Sequence, residues 1–271
     1  MAFRYWQDLT SGAIGAIDPA RTVALLPLAA TEQHGPHLPT GTDTFIADGL
    51  VAESASRISE DIDVVVLPTL SVGASLEHTR FPGTITLSAP QLVETIVATG
   101  EAIRSAGLRK LVLVSAHGGN VAAMNTAALE CRARQGLLAV TTTFARLGLP
   151  TGLVDADEVE LGVHGGLIET ALMLHFRPEL VDMPKARNFP SAQASMAKKF
   201  RRLRAYGPTG FGWLAGDLNP EGVVGNAAAA TAEIGAAIAA HQSAAFAELL
   251  AEVAKADVAE LLADGHAPGR R

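Results

Sequence analysis

Glu32, His34 and Asp43 stand within twelve residues, directly after the apolar run Val23-Ala24-Leu25-Leu26-Pro27-Leu28. Imidazole and carboxylates together can hold a divalent cation. Placement adds to that, because in α/β chains ligands bind beyond the carboxyl ends of the strands. Glu32 and His34 are two apart, so on continued extended backbone they project to the same side. Asp43 returns to them after a loop whose turns are set by Gly35, Pro36, Pro39 and Gly41. A second apolar run, Leu111-Val112-Leu113-Val114, leads through Ser115-Ala116 to His117, and Gly118-Gly119 lets the backbone turn sharply there. Asn120 is expected to cap the following helix. In Val163-His164-Gly165-Gly166-Leu167-Ile168-Glu169-Thr170, His164 and Glu169 are five apart, about 500° of helical rotation. We therefore expect His164 in a loop and Glu169 in a first helical turn. An acid at that position is an ordinary helix-dipole preference, yet among Leu167, Ile168, Ala171 and Leu172 an unpaired carboxylate would be costly.

The elements that must carry these residues alternate. Strands are expected at Thr22 to Leu28, Asp63 to Leu67, Leu111 to Val114 and Leu137 to Thr143. Helices are expected at Thr44 to Ser59, Ala89 to Ala106, from Asn120 to about Gln135, and from Gly225 to about Leu262 with a soft break at Gly235. Continuous apolar strands between helices imply a largely parallel sheet covered on both faces, a three-layer α/β/α architecture. No linker or repeat divides the chain, so residues 1–271 are expected to form one domain, with a core from about 20 to 245 and a frayed tail from about 263 to 271.

Composition excludes several classes. A net charge of −7 argues against general binding to nucleic acid or anionic membrane, both of which need a cationic surface. The basic stretch Lys198-Lys199-Phe200-Arg201-Arg202-Leu203-Arg204 is expected to be a solvated helix face or a subunit contact, with a lesser role in guiding an anionic substrate. No apolar run approaches the ~18 residues of a membrane span, and a lone Cys131 excludes an intrachain disulfide. A cytoplasmic protein with a structural thiol is expected. Neither Gly-x-Gly-x-x-Gly nor a Gly-Lys-Ser/Thr loop is present, which weakens a nucleotide-binding reading of Gly118-Gly119.

Taken in order, Glu-x-His-Gly-x-His-Leu-Pro-x-x-x-Asp (Glu32 to Asp43), Phe81-Pro82-Gly83-Thr84, His117-Gly118-Gly119-Asn120, His164-Gly165-Gly166-x-x-Glu169-Thr170 and Gly222-Val223-Val224-Gly225 resemble the creatininase (creatinine amidohydrolase) family, over about residues 20 to 245. The resemblance implies a creatininase-like α/β/α fold, commonly a homohexamer, with two divalent metal ions (Zn, Mn or Fe) at the carboxyl edge of the sheet. By the family pattern Glu32 and His117 hold one ion, His34 the other, and Asp43 bridges them. Two ions roughly 3.5–4 Å apart can share a water whose pKa falls toward ~7, giving a metal-bound hydroxide that attacks an amide carbonyl. Glu169 or His164 would deliver the proton the departing nitrogen needs.

The chain departs from creatininase at two places. Gly119 stands where creatininase has a metal-binding glutamate, and Glu169 or water is the candidate replacement. No tryptophan precedes His164, where creatininase packs one on its flat substrate; Trp213 lines either a pocket or a subunit contact. His78, before Phe81-Pro82-Gly83-Thr84, is expected on the substrate side. His37 either orients a ligand carboxylate or shapes its loop. The resulting expectation is a metal-dependent amidohydrolase cleaving a C–N bond of a small cyclic amide or formamide, with creatinine one option. The alternatives are a deformylase or peptidase of cofactor biosynthesis, and a catalytically silent metal-binding or assembly member.

Overall fold

The computed structural model describes residues 3–262. Its central sheet contains β1 (Phe3–Tyr5), β2 (Thr22–Leu28), β3 (Asp63–Val66), β4 (Lys110–Ser115) and β5 (Leu138–Thr143) in the order β1-β3-β2-β4-β5, every pair parallel. Helices α1 (Ser11–Gly15), α2 (Thr42–Ala55), α3 (Ala89–Ser105), α4 (Val121–Glu130), α5 (Ala156–Leu161) and α6 (Leu167–Phe176) connect and follow the strands. The C-terminal third adds the short antiparallel pair β6 (Asn188–Phe189) and β7 (Gly225–Asn226), and helices α7 (Ala192–Lys199), α8 (Ala215–Leu218), α9 (Ala232–Lys255) and α10 (Val258–Leu261).

Every residue of β2 is buried because alternate side chains enter different helical layers. Val23 and Leu25 join a core with Ile46 and Leu50 of α2, Leu172 and Met173 of α6, and Ile238 and Phe246 of α9. Ala24, Leu26 and Leu28 join the opposite core with Leu92 and Ile96 of α3 and Met124 of α4. This is the expected three-layer arrangement. The chain runs from β2 to β3 on one side and from β4 to β5 on the other, so the adjacent carboxyl ends of β2 and β4 flank a topological switch point, where α/β sheets open a crevice.

Several boundaries differ from expectation. β1 escaped notice because three residues carry no readable period. Helix α2 begins at Thr42, whose hydroxyl donates to the Pro39 carbonyl at 2.7 Å, so Asp43 sits in its first turn. Asn120 does not cap α4; its amide donates to the Ala29 carbonyl and Ser115 Oγ and accepts from the Ala74 N–H, tying the ends of β2 and β4 to the loop after β3. Gly225 opens β7 rather than a helix. Gly235 lies inside α9 without breaking it, because a Cβ there would stand 1.9 Å from the Ala171 carbonyl oxygen: glycine lets α9 meet α6 at backbone distance. By length and composition alone α9 is long and apolar enough to cross a membrane, although Glu233, His241, Gln242, Ser243, Glu248 and Glu252 interrupt its apolar run. In the fold Ile238, Ala239, Phe246 and Leu250 make it a core helix. The tail expected to fray, about 263 to 271, lies outside the described residues.

Candidate metal centre

Three loops and two helix starts converge on the switch point. After β2 the chain stays extended enough for Glu32 and His34 to reach the same cluster, and the Glu32 N–H is held by the Thr40 carbonyl at 3.0 Å. His34 Nδ1 lies 3.1 Å from the carbonyl oxygen of Glu32, to which it donates, so Nε2 is the ring nitrogen turned to the cluster. That Nε2 stands 3.3 Å from Oδ1 of Asp43 and 3.7 Å from Oε2 of Glu169. On the other side, Nδ1 of His117 stands 3.2 Å from Oε1 of Glu32 and 3.5 Å from Oδ2 of Asp43. The two oxygens of Asp43 therefore face different imidazoles.

This geometry makes two overlapping groups that could each hold a cation, Glu32-Asp43-His117 and His34-Asp43-Glu169, with the ligand atoms of each within 4.8 Å of one another. Asp43 belongs to both. A third grouping, Glu32-His34-His164, overlaps them. Glu32, His34, Asp43 and His117 are buried, whereas the Glu169 side chain keeps 21% of its surface exposed.

The charge balance calls for cations. Both carboxylate oxygens of Glu32, His34 Nε2 and Asp43 Oδ2 are buried without a hydrogen-bond partner, an arrangement too costly to keep without a positive centre among them. Burial alone would lower the pKa of His34 and His117. The Asp43 carboxylate beside His34 and the Glu32 carboxylate beside His117 override it and hold both up to about 10. Burial likewise pushes Glu32 up, but the imidazoles, His117 first, bring it well below the usual carboxylate range. The site thus demands positive charge, supplied by protons or by metal ions that displace them. A mixed imidazole and carboxylate set suits Zn²⁺, Mn²⁺ or Fe²⁺ better than Mg²⁺ or Ca²⁺. Burial also raises Glu169 to about 7 and lowers His78 to about 4 and His164 well below the ordinary imidazole value, leaving both rings neutral at pH 7.

His164 lies in its glycine loop and Glu169 in the first turn of α6, as expected. His164 Nε2 donates to the Gln33 carbonyl at 2.8 Å and Nδ1 turns toward the cluster, 3.6 Å from Glu32 Oε1. His78 is 2% exposed, with Nε2 facing Glu32 Oε1 at 3.4 Å and Nδ1 against the Gln33 amide at 2.8 Å, so both ring nitrogens already have neighbours within the protein. His37 does not touch a carboxylate of the cluster; Nε2 meets Thr170 Oγ1 at 3.0 Å and the ring stacks on Phe189, which makes it a loop-shaping residue. Trp213 is not brought to the cluster. It packs edge-on against Tyr206 in a satellite core with Ala205, Leu218 and Val224. Helix α7 stops at Lys199, so the basic stretch has no helical face beyond it, and residues 198–203 are exposed. Cys131 is buried, and burial pushes its thiol up to about 11, as suits a structural residue.

Three contributors carry no motif of their own. Glu77 places Oε1 3.5 Å from His117 Nε2, which also donates to the Ala74 carbonyl at 3.1 Å; these partners aim Nδ1 at the cluster. Glu158 accepts the Leu167 N–H and the Asn226 N–H, each at 2.8 Å, and is pressed among Gly162, Gly166 and Gly225. The third, Gln33, sits between the two ligand candidates of the first loop. The glycines around position 158 were a readable signal, but only the fold shows what they surround. A cavity of about 1220 Å³ opens beside Lys110 at the amino end of β4 and shares no residue with the cluster.

The profile of the creatininase family, described as creatinine amidohydrolase, matches residues 7–250. The mycofactocin precursor peptide peptidase of Mycobacterium ulcerans (strain Agy99) is 34% identical over 217 residues, 77% of this chain and 76% of that protein. The peptidase of the same name from Mycolicibacterium smegmatis (strain ATCC 700084 / mc(2)155) is 34% identical over 159 residues, 58% of this chain and 59% of that protein, so this match spans less than two thirds of its length. Solved structures of creatininase in a Mn form (TM-score 0.76, 23% identity) and a Zn-Zn form (TM-score 0.74, 24% identity) share the fold over 93% of this chain and 99% and 98% of theirs.

Proposed function

The chain belongs to the creatininase family, and from that premise we propose that it is a hydrolase cleaving a C–N amide bond with two divalent cations held by Glu32, His34, Asp43, His117 and Glu169. The observation that carries this reading is the position of Asp43, with one carboxylate oxygen toward His34 and the other toward His117. Cations there would polarise the scissile carbonyl and acidify water near neutral pH. The residues do the rest. Asp43 holds the two halves of the site in register, and the Glu32 carbonyl fixes the His34 tautomer. Because Glu169 completes the group that contains His34, this reading gives it the ligand role and gives proton delivery to His164. Neutral, and anchored through Nε2, His164 can take a proton at Nδ1 and hand it to the leaving nitrogen.

The substrate proposed is a small amide, and within that class a peptide-like C–N bond is favoured over creatinine. Relatives at 34% identity are named peptidases of a precursor peptide, and Trp213 packs away from the cluster. The reading includes one creatininase-like domain assembled as a homohexamer in the cytoplasm. Apoprotein reloaded separately with Zn²⁺, Mn²⁺ or Fe²⁺ and assayed on short peptides, formamides and lactams is expected to release amine with at least one metal, and to stop when chelator is added. Two ions bound per chain without turnover across that panel would favour the silent, metal-binding alternative.

A further inference from the structure

Gln33 is 6% exposed and its side chain ties together three loops. Oε1 accepts the Gly35 N–H at 2.9 Å, which fixes which end of the carboxamide is nitrogen. The NH₂ group then has two hydrogens and three polar neighbours: the Gly222 carbonyl oxygen at 2.6 Å, His78 Nδ1 at 2.8 Å and His164 Nε2 at 3.3 Å. The two shorter contacts use both hydrogens. His164 Nε2 needs no share of them, since it donates to the main-chain oxygen of Gln33 at 2.8 Å. Counting hydrogens leaves one tautomer for each neutral ring. His78 accepts at Nδ1 and carries its proton on Nε2, facing Oε1 of Glu32 at 3.4 Å. His164 carries its proton on Nε2 and turns the Nδ1 lone pair toward the same oxygen at 3.6 Å. Gly222, at φ +78°, brings its backbone so close that a Cβ would lie 2.7 Å from Gln33 Nε2, so the loop is shaped around this amide.

We propose that Gln33 is a positioning residue: its carboxamide sets the ring tautomer of His78, so that Glu32 faces an N–H there. An N–H facing Glu32 Oε1 at 3.4 Å favours one orientation of that carboxylate without bonding it, a looser form of what outer partners of metal ligands do. The inference rests on the hydrolase reading above for its effect on turnover, but not for its effect on the ring.

The test is Gln33→Glu, which keeps shape and removes both N–H donors, with Gln33→Met as a second variant lacking polar atoms. Histidine-¹⁵N-labelled, zinc-loaded protein without substrate is read by solid-state NMR, the His78 signals being assigned by their loss in His78→Gln. Wild type is expected to show His78 protonated at Nε2. Gln33→Glu should move the proton to Nδ1, and Gln33→Met should leave a mixture. Both variants should keep wild-type zinc content and lose about 10- to 100-fold in kcat, with KM changed less than about threefold. An Nδ1–H His78 in wild type overturns the proposal, as does an unchanged tautomer and kcat in Gln33→Glu. Loss of zinc or of folding in both variants also overturns it, because Gln33 would then be only a tie between loops. Failure of the hydrolase reading looks different: wild type would not turn over, while the tautomers would still respond.

Discussion

Gly119 and Glu77 exclude each other's side chains: a Cβ at residue 119 would stand 2.5 Å from Oε1 of Glu77. It would also meet the Ala74 carbonyl at 2.5 Å and His117 Nε2 at 2.4 Å. The glutamate that creatininase carries at this place therefore cannot be restored here by one change. Gly119→Glu is expected to destabilise the protein by at least about 1–3 kcal/mol through overpacking against backbone, and to weaken metal retention by displacing His117. Denaturant unfolding and metal analysis check both. A variant as stable as wild type with metal content unchanged would show that the loop at Ala74 yields freely.

Glu158 controls the site from outside it. Its two oxygens hold the first N–H of α6 and the N–H of Asn226, bracketing the loop that carries His164. Removing the acceptors leaves two backbone donors to find other partners, at about 1–3 kcal/mol for each that stays buried. Glu158→Ala is expected to unfold at lower denaturant with unchanged slope, and to lose activity before it loses metal. Equal stability in wild type and variant would contradict this.

Metal uptake should release protons. Without ions, Asp43 and Glu32 hold His34 and His117 up to about 10 against the opposing effect of burial, and a ligating imidazole must be neutral. At pH 8, where Glu169 at about 7 is already mostly ionised, loading zinc into apoprotein in weak buffer with an indicator should release nearly two protons per chain from the imidazoles, and more from any water the ions acidify. Affinity should fall as pH falls. The same shifts give apoprotein a stability that is fully present below the unfolded imidazole pKa of about 6.5 and lost as pH rises through about 10. Thermal melts of apoprotein should decline across that window, and those of the zinc form should not. Release of less than one proton at pH 8 would contradict the paired imidazoles.

The sequence carried the architecture through its strands. β2 and β4 are buried on both faces, so their apolar runs read as strands, and the first polar residues after them read as a site. His164 and Glu169 were placed by helical rotation alone. What could not be read was contact between loops distant in sequence. Glu77, Gln33 and Glu158 matter through partners 40, 45 and 68 residues away, among them His117, His78 and Asn226. Asn120 misled because Asn is a good helix cap, whereas a buried amide linking three loops satisfied more backbone groups.

The central claim is that Asp43 bridges two ions, and counting metal per chain tests it most directly. Protein purified without chelator, reloaded with zinc, freed of excess and analysed by inductively coupled plasma mass spectrometry should hold two ions per wild-type chain. Glu169→Gln should hold one, and Asp43→Ala none while keeping its circular dichroism spectrum. Two ions retained by Asp43→Ala would contradict the account.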